Sequence, residues 1–173
     1  MVLEWSFKVK AFASEREQRS AMTSALLILA CLMGAGGVGL AAAAAHGTPA
    51  SGLDSAAYLL LFHATAVLAA ASLVREELLW RPLGLVAMAC FVAGGALFAG
   101  DVSMRAFAGQ RLFPMAAPTG GTLLILGWLV LAAAAVVLSV RWLARRGALA
   151  ALEPIALGVR RQLADRKIGR AHV

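Results

Sequence analysis

The stretch TLLILGWLVLAAAAVVLSV, residues 122–140, carries no charged side chain and decides the fold class. As an α-helix it is long enough to cross a membrane, because about 30 Å of hydrocarbon needs roughly 20 apolar residues at about 1.5 Å each. Thr119 to Trp142 therefore reads as a membrane span, and Pro118 before it cannot continue a preceding helix. Three more apolar blocks lie upstream, at about 22–45, 55–74 and 82–100. His46-Gly47-Thr48-Pro49 breaks the first, Arg75-Glu76-Glu77 closes the second and Asp101 is expected to end the third.

Composition agrees with this count. The 173 residues are 61% hydrophobic and 14% charged, against about 45–50% and about 25% in soluble domains. Mean hydropathy is +0.82, and a water-soluble fold of this size has no interior large enough for so much apolar surface. The expectation is an all-α integral membrane four-helix bundle occupying 22–146.

The net charge of +7 suggests nucleic acid only at first sight. The basic residues flank the apolar blocks, and no basic stretch is interleaved with aromatics as an RNA-binding surface would be. Their distribution instead sets orientation, since short flanks rich in Lys and Arg stay cytoplasmic. Lys8, Lys10, Arg16 and Arg19 precede the first span, Arg75 and Arg81 bracket the second connection, and Arg141, Arg145 and Arg146 follow the fourth. The first connection has no basic residue and the third only Arg105 and Arg111. Both termini are expected in the cytoplasm.

The first block competes with a secretory signal, because Ala41 to Ala45 offers an A-x-A pattern. Its length argues against cleavage, as it exceeds the roughly 7–15 apolar residues of a signal core. Gly34, Gly36, Gly37 and Gly39 instead form small-residue ridges, as do Ala35, Gly39, Ala43 and Gly47 at four-residue spacing. Ridges of this kind let a neighbouring helix approach closely in lipid. Gly120 and Gly121 do the same at the start of the fourth span.

The ends read differently. Residues 1–21 mix charge with Trp5, Phe7 and Phe12, as an interfacial helix or as an extension upstream of Met22, itself a reasonable start. Residues 147–167 alternate Leu149, Leu152, Ile155, Leu157 and Leu163 with Arg160, Arg161, Arg166 and Lys167, the pattern of a short helix lying on an acidic leaflet. Glu153-Pro154 would make its start irregular. Ile168 to Val173 match the translation of a common sequencing-adapter end and are set aside as a read-through scar.

Ionisable groups inside spans are expensive, so they are where function is sought. His63 is the deepest, near the middle of the second span; His46 and Asp101 stand at span ends, and Asp101 can pair with Arg105 four residues on. One reading joins His46, His63, Asp101 and Thr119 into a polar site, with the His and Asp side chains as metal or proton ligands. The other gives each a local partner: for His63 a carbonyl or a hydroxyl such as Thr65 or Thr122. Thr119 is an N-cap candidate, and the helix start at Thr119-Gly120-Gly121 reads either as a place that attracts an anion or, more commonly, as a tight loop-to-helix entry packed against the first span. Trp80, Trp128 and Trp142 read as anchoring or packing residues, Trp80 and Trp142 in the inner aromatic belt. Cys31 and Cys90 lie inside spans with no partner at redox or metal spacing.

Four motifs in fixed order carry a family resemblance: Ala45-His46-Gly47, Leu61-Phe62-His63-Ala64, Gly95-Ala96-Leu97-Phe98-Ala99-Gly100, and Pro118-Thr119-Gly120-Gly121 followed by Gly127-Trp128. From about Met22 to Arg146 the chain resembles the YgdD-like family (domain of unknown function 423), small bacterial inner-membrane proteins with mitochondrial relatives. The resemblance implies four spans and no assigned activity. Family members commonly have Tyr four residues before the second-span His, where this chain has Leu59, and often Ser where Asp101 stands.

Three function classes follow. A structural or accessory inner-membrane protein needs no chemistry and packs through its small-residue faces with a second copy or a larger complex. A small transporter or channel would use the His63 region, and a metal-binding protein His46, His63 and Asp101. No nucleophile–base pair or HExxH-type motif points to an enzyme, and no cofactor is expected. The partner read most directly is the lipid bilayer, with no nucleic acid.

Overall fold

A computed structural model describes the backbone of residues 2–46 and 52–169, and the side chains of 20–46, 52–147 and a few flanking positions. Four helices make up these residues: α1 (Val2–His46), α2 (Leu53–Arg75), α3 (Arg81–Ala108) and α4 (Ala116–Gly169). Each contains a segment long and apolar enough to cross a membrane, at Ser20–His46, Leu53–Arg75, Arg81–Ala108 and Ala116–Gly147.

Several boundaries differ from the sequence reading. α1 runs as one helix from Val2 to His46, so residues 2–21 are helical and continuous with the first apolar block. Asp101 does not end the third helix, which continues to Ala108 and stops at Gly109, where φ of 66° is easily adopted by a residue without Cβ. α4 starts at Ala116, so Pro118 falls in its first turn, where a missing N–H breaks nothing. Thr119 is consequently not the N-cap: its amide donates to the carbonyl of Met115, which takes the left-handed conformation. Pro154 lies within α4 rather than at an irregular start.

Gly47, Thr48 and Pro49 lie outside the described residues, as do Arg170 to Val173 of the suspected scar. So do the side chains of Trp5, Phe7 and Phe12, and those of Leu149, Leu152, Ile155, Leu163, Arg160, Arg161, Arg166 and Lys167 in the tail.

Contacts within 1–135 give an antiparallel up-and-down order. Gly37 lies against Leu61 and Ala57 while Gly34 lies near Ala64, so α1 and α2 run oppositely. Gly84 meets Val74 and Gly95 meets Leu60, which reverses α3 against α2. α4 reverses again, with Gly120 on Gly94 and Phe98, Gly127 on Phe91, and the Trp80 amide donating to the Ala134 carbonyl. The α2–α3 turn closes tightly, the amides of Glu77 and Leu78 donating back to Val74 and Leu73, with Glu77 in the left-handed position usually held by glycine.

Lipid tails are as apolar as leucine, so association rests on close van der Waals fit rather than expulsion of water. The buried residues suit that requirement. One cluster gathers Leu26, Ala30, Val67, Ala70, Met88, Phe91, Leu124 and Ala134; another, toward the α1–α2 and α3–α4 connections, gathers Met33, Ala56, Leu60, Ala64 and Ala99. Ile28, Leu32, Phe62, Ile125 and Leu129 face outward, as lipid-facing side chains do.

Candidate functional site

The buried stripe of α2 includes Ala56, Leu60, His63, Ala64, Val67, Ala70, Ala71 and Val74. The helical repeat therefore turns His63 toward the other helices, and only 6% of it is exposed. Its Nδ1 lies 2.7 Å from the Leu59 carbonyl oxygen one turn earlier. A carbonyl can only accept, so Nδ1 carries the proton. The Trp128 indole Nε1–H donates to His63 Nε2 at 3.2 Å, and an indole can only donate, so Nε2 holds a lone pair. Together the two bonds select the neutral Nδ1–H tautomer.

Phe91, fully buried on α3, completes the group, its ring centroid 5.3 Å from that of His63 and 5.0 Å from that of Trp128. Gly127 makes room for it, because a Cβ there would come within 2.6 Å of Phe91 Cε1. One α4 dipeptide, Gly127-Trp128, thus admits the ring of α3 and donates to the imidazole of α2. Thr65 and Thr122, the hydroxyls considered for His63, bond instead to the carbonyls of Phe62 and Pro118 on their own helices.

Asp101 is 1% exposed. One carboxylate oxygen pairs with the Arg105 guanidinium, and the other accepts from the Leu112 amide at 2.9 Å. The carboxylate therefore fastens the α3–α4 connection back onto α3. His46 is exposed at the last residue of α1, and Thr119 is exposed in the first turn of α4. His63 and Asp101 each satisfy their polar atoms separately, and among the described residues no group of three His, Cys, Asp or Glu is placed to hold a metal ion.

The glycines separate sharply. A Cβ at Gly120 would lie 2.6 Å from the Phe98 amide nitrogen and 2.7 Å from the Gly94 carbonyl oxygen; at Gly37 it would lie 2.8 Å from Leu61 Cγ. Gly34 and Gly36 are in ordinary contact at 3.9 and 3.8 Å, and Gly39 and Gly121 have nothing within 4 Å. Sequence reasoning missed Gly94 and Gly127 as close-approach positions, Phe91 as the stacking ring and Trp128 as the partner of His63. A signal existed for the last: Leu61-Phe62-His63-Ala64 and Gly127-Trp128 both belong to the motif set, though nothing in their spacing joins them.

The family described as "Protein of unknown function (DUF423)" matches residues 40–121, a range that contains His63, Phe91 and Asp101 and stops before Trp128. The chain is 34% identical over 119 residues to the UPF0382 membrane protein of Haemophilus influenzae, an alignment covering 64% of this chain and 93% of that one. No solved structure matches. Because the similarity spans nearly the whole of a relative built as a membrane protein, and the fold supplies the four apolar helices such a protein needs, the chain belongs to the DUF423 family of multi-pass membrane proteins.

Proposed function

We propose that this protein is a non-enzymatic structural or accessory component of a bacterial inner membrane, with both termini cytoplasmic. The observation that carries the reading is the double commitment of His63. With Nδ1 held by Leu59 and Nε2 by Trp128, the deepest ionisable side chain works as a joint between helices and offers neither a base nor a ligand. A neutral imidazole also avoids the penalty of a charge at mid-span, about 2.5–3.5 kcal/mol on insertion scales. Orientation is supported by the Lys and Arg asymmetry: Arg75 and Arg81 bracket the α2–α3 connection and Arg141, Arg145 and Arg146 follow the fourth apolar block, whereas the first connection has no basic residue.

Two experiments test this. Reporter fusions after Arg146 should report cytoplasm and insertions near Gly52 the opposite side; reversal at both positions overturns the orientation. Purification from native membrane should bring down a stoichiometric protein partner or a second copy. A bound ion or solute in place of a partner, lost on His63→Gln with the protein still folded, overturns the accessory reading in favour of transport.

A further inference from the structure

Charge along the chain is lopsided. Residues 1–140 hold eight basic and seven acidic side chains, a net of +1, whereas 141–167 hold seven basic and two acidic, a net of +5. The excess begins where the fourth span ends, with Arg141, Trp142, Arg145 and Arg146, all exposed. No acidic residue occurs between Asp101 and Glu153 to offset it locally. At about 100° per residue these four side chains fall within a sector of about 140° of the helix. The Arg146 guanidinium lies 3.7 Å from the centroid of the Trp142 ring.

We propose that Arg141, Arg145, Arg146 and Trp142 form a binding site for the headgroup of an anionic phospholipid. Depth favours lipid over a soluble acidic partner. The apolar part of α4 is 32 residues, Ala116–Gly147, or about 48 Å at the helical rise, against about 40–45 Å for a bilayer with its headgroups. Its last two turns therefore stand among phosphates, and exposed Val140 and Leu143 beside them meet acyl chains. Chemistry agrees with depth. Arginine forks bind phosphate oxygens in pairs, and stacking on an indole holds the Arg146 fork in place before the ligand arrives. The site rests on the membrane fold and stands whichever way the termini face.

The test uses the purified full chain in neutral detergent, titrated with phosphatidylglycerol or phosphatidylcholine and read by native mass spectrometry. Phosphatidylglycerol should be retained in preference to phosphatidylcholine. R141Q/R145Q/R146Q should lower its affinity on the order of a hundredfold, and each single Gln variant roughly fivefold, from the attraction each juxtamembrane arginine has for an acidic lipid. W142L should weaken binding severalfold, as the stacked guanidinium loses its support. R75Q, which removes an exposed arginine at the end of α2, should change nothing, and millimolar inorganic phosphate should not displace the lipid. Circular dichroism and gel filtration establish that the variants fold, and the single variants decide the matter if the triple one does not. Equal retention of phosphatidylcholine, single variants that bind like the parent, an equal loss in R75Q, or displacement by inorganic phosphate overturns the site.

Discussion

Where α4 crosses α3, a Cβ added to Gly120 would meet the Phe98 nitrogen and the Gly94 carbonyl of the opposite backbone. A short way along α3, the buried Asp101 carboxylate bonds locally among the described residues: its partners are Arg105 in the next turn and Leu112 in the following connection. The first contact joins α3 and α4 through shape alone, and the neutral His63–Trp128 bond, about two turns further along α4, joins α4 to α2. The second is local and charged. The difference follows from the surroundings. Inward from Asp101, along Phe98, Gly94 and Phe91, water no longer reaches to solvate a charge, so helices are joined by close backbone approach and by polar groups that carry no net charge. Near a connection a carboxylate is tolerable, because a guanidinium neutralises it and one amide fills its remaining acceptor.

This contrast makes the crossing the more sensitive of the two. Gly120→Ala should produce the largest effect, a loss of about 3 kcal/mol or helix separation, since the obstructing atoms are backbone and cannot rotate away. Gly121→Ala, with open space around it, should be nearly neutral. Unfolding of both in detergent measures the difference, and equal behaviour of the two alanines would break the account of the crossing.

His63→Leu comes next. It leaves the Trp128 N–H unmatched within the bundle and should lose about 0.6–2 kcal/mol, the range for interhelical hydrogen bonds in membranes. Trp128→Phe keeps a ring against Phe91 but removes the donor, so it should lose a similar or smaller amount. The double variant should lose less than the two single losses combined, because one bond joins both residues. Strict additivity in that cycle would remove His63–Trp128 as a joint.

Asp101→Asn should act most locally. Arg105 is half-exposed and turns to water, while the Leu112 amide faces a weaker acceptor; its hydrogen exchange should speed up roughly tenfold, the scale of one lost hydrogen bond. Exchange near Gly120 should stay unchanged. If the crossing loosened along with the connection, the two regions would be one cooperative unit rather than two.

The sequence by itself determined the number of helices and which segments are apolar enough to span, because both depend on counting residues against a fixed thickness of hydrocarbon. The Asp101–Arg105 pair was legible too, since four residues on a helix bring two side chains together wherever the helix sits. The ends of the helices were less so. A run of Ala, Arg and Leu favours helix as strongly beyond a span as within it, and polarity marks the membrane boundary rather than the end of hydrogen bonding, so α3 continues past Asp101 and α4 past Trp142. Only the tertiary structure decided which glycines matter. Gly120 and Gly121 are neighbours of identical chemistry, yet consecutive positions point about 100° apart; one meets the backbone of α3 and the other meets nothing. The same is true of His63, whose partner 65 residues away is set by the rotation and depth at which α2, α3 and α4 settle around Phe91, a quantity no local pattern of residues encodes.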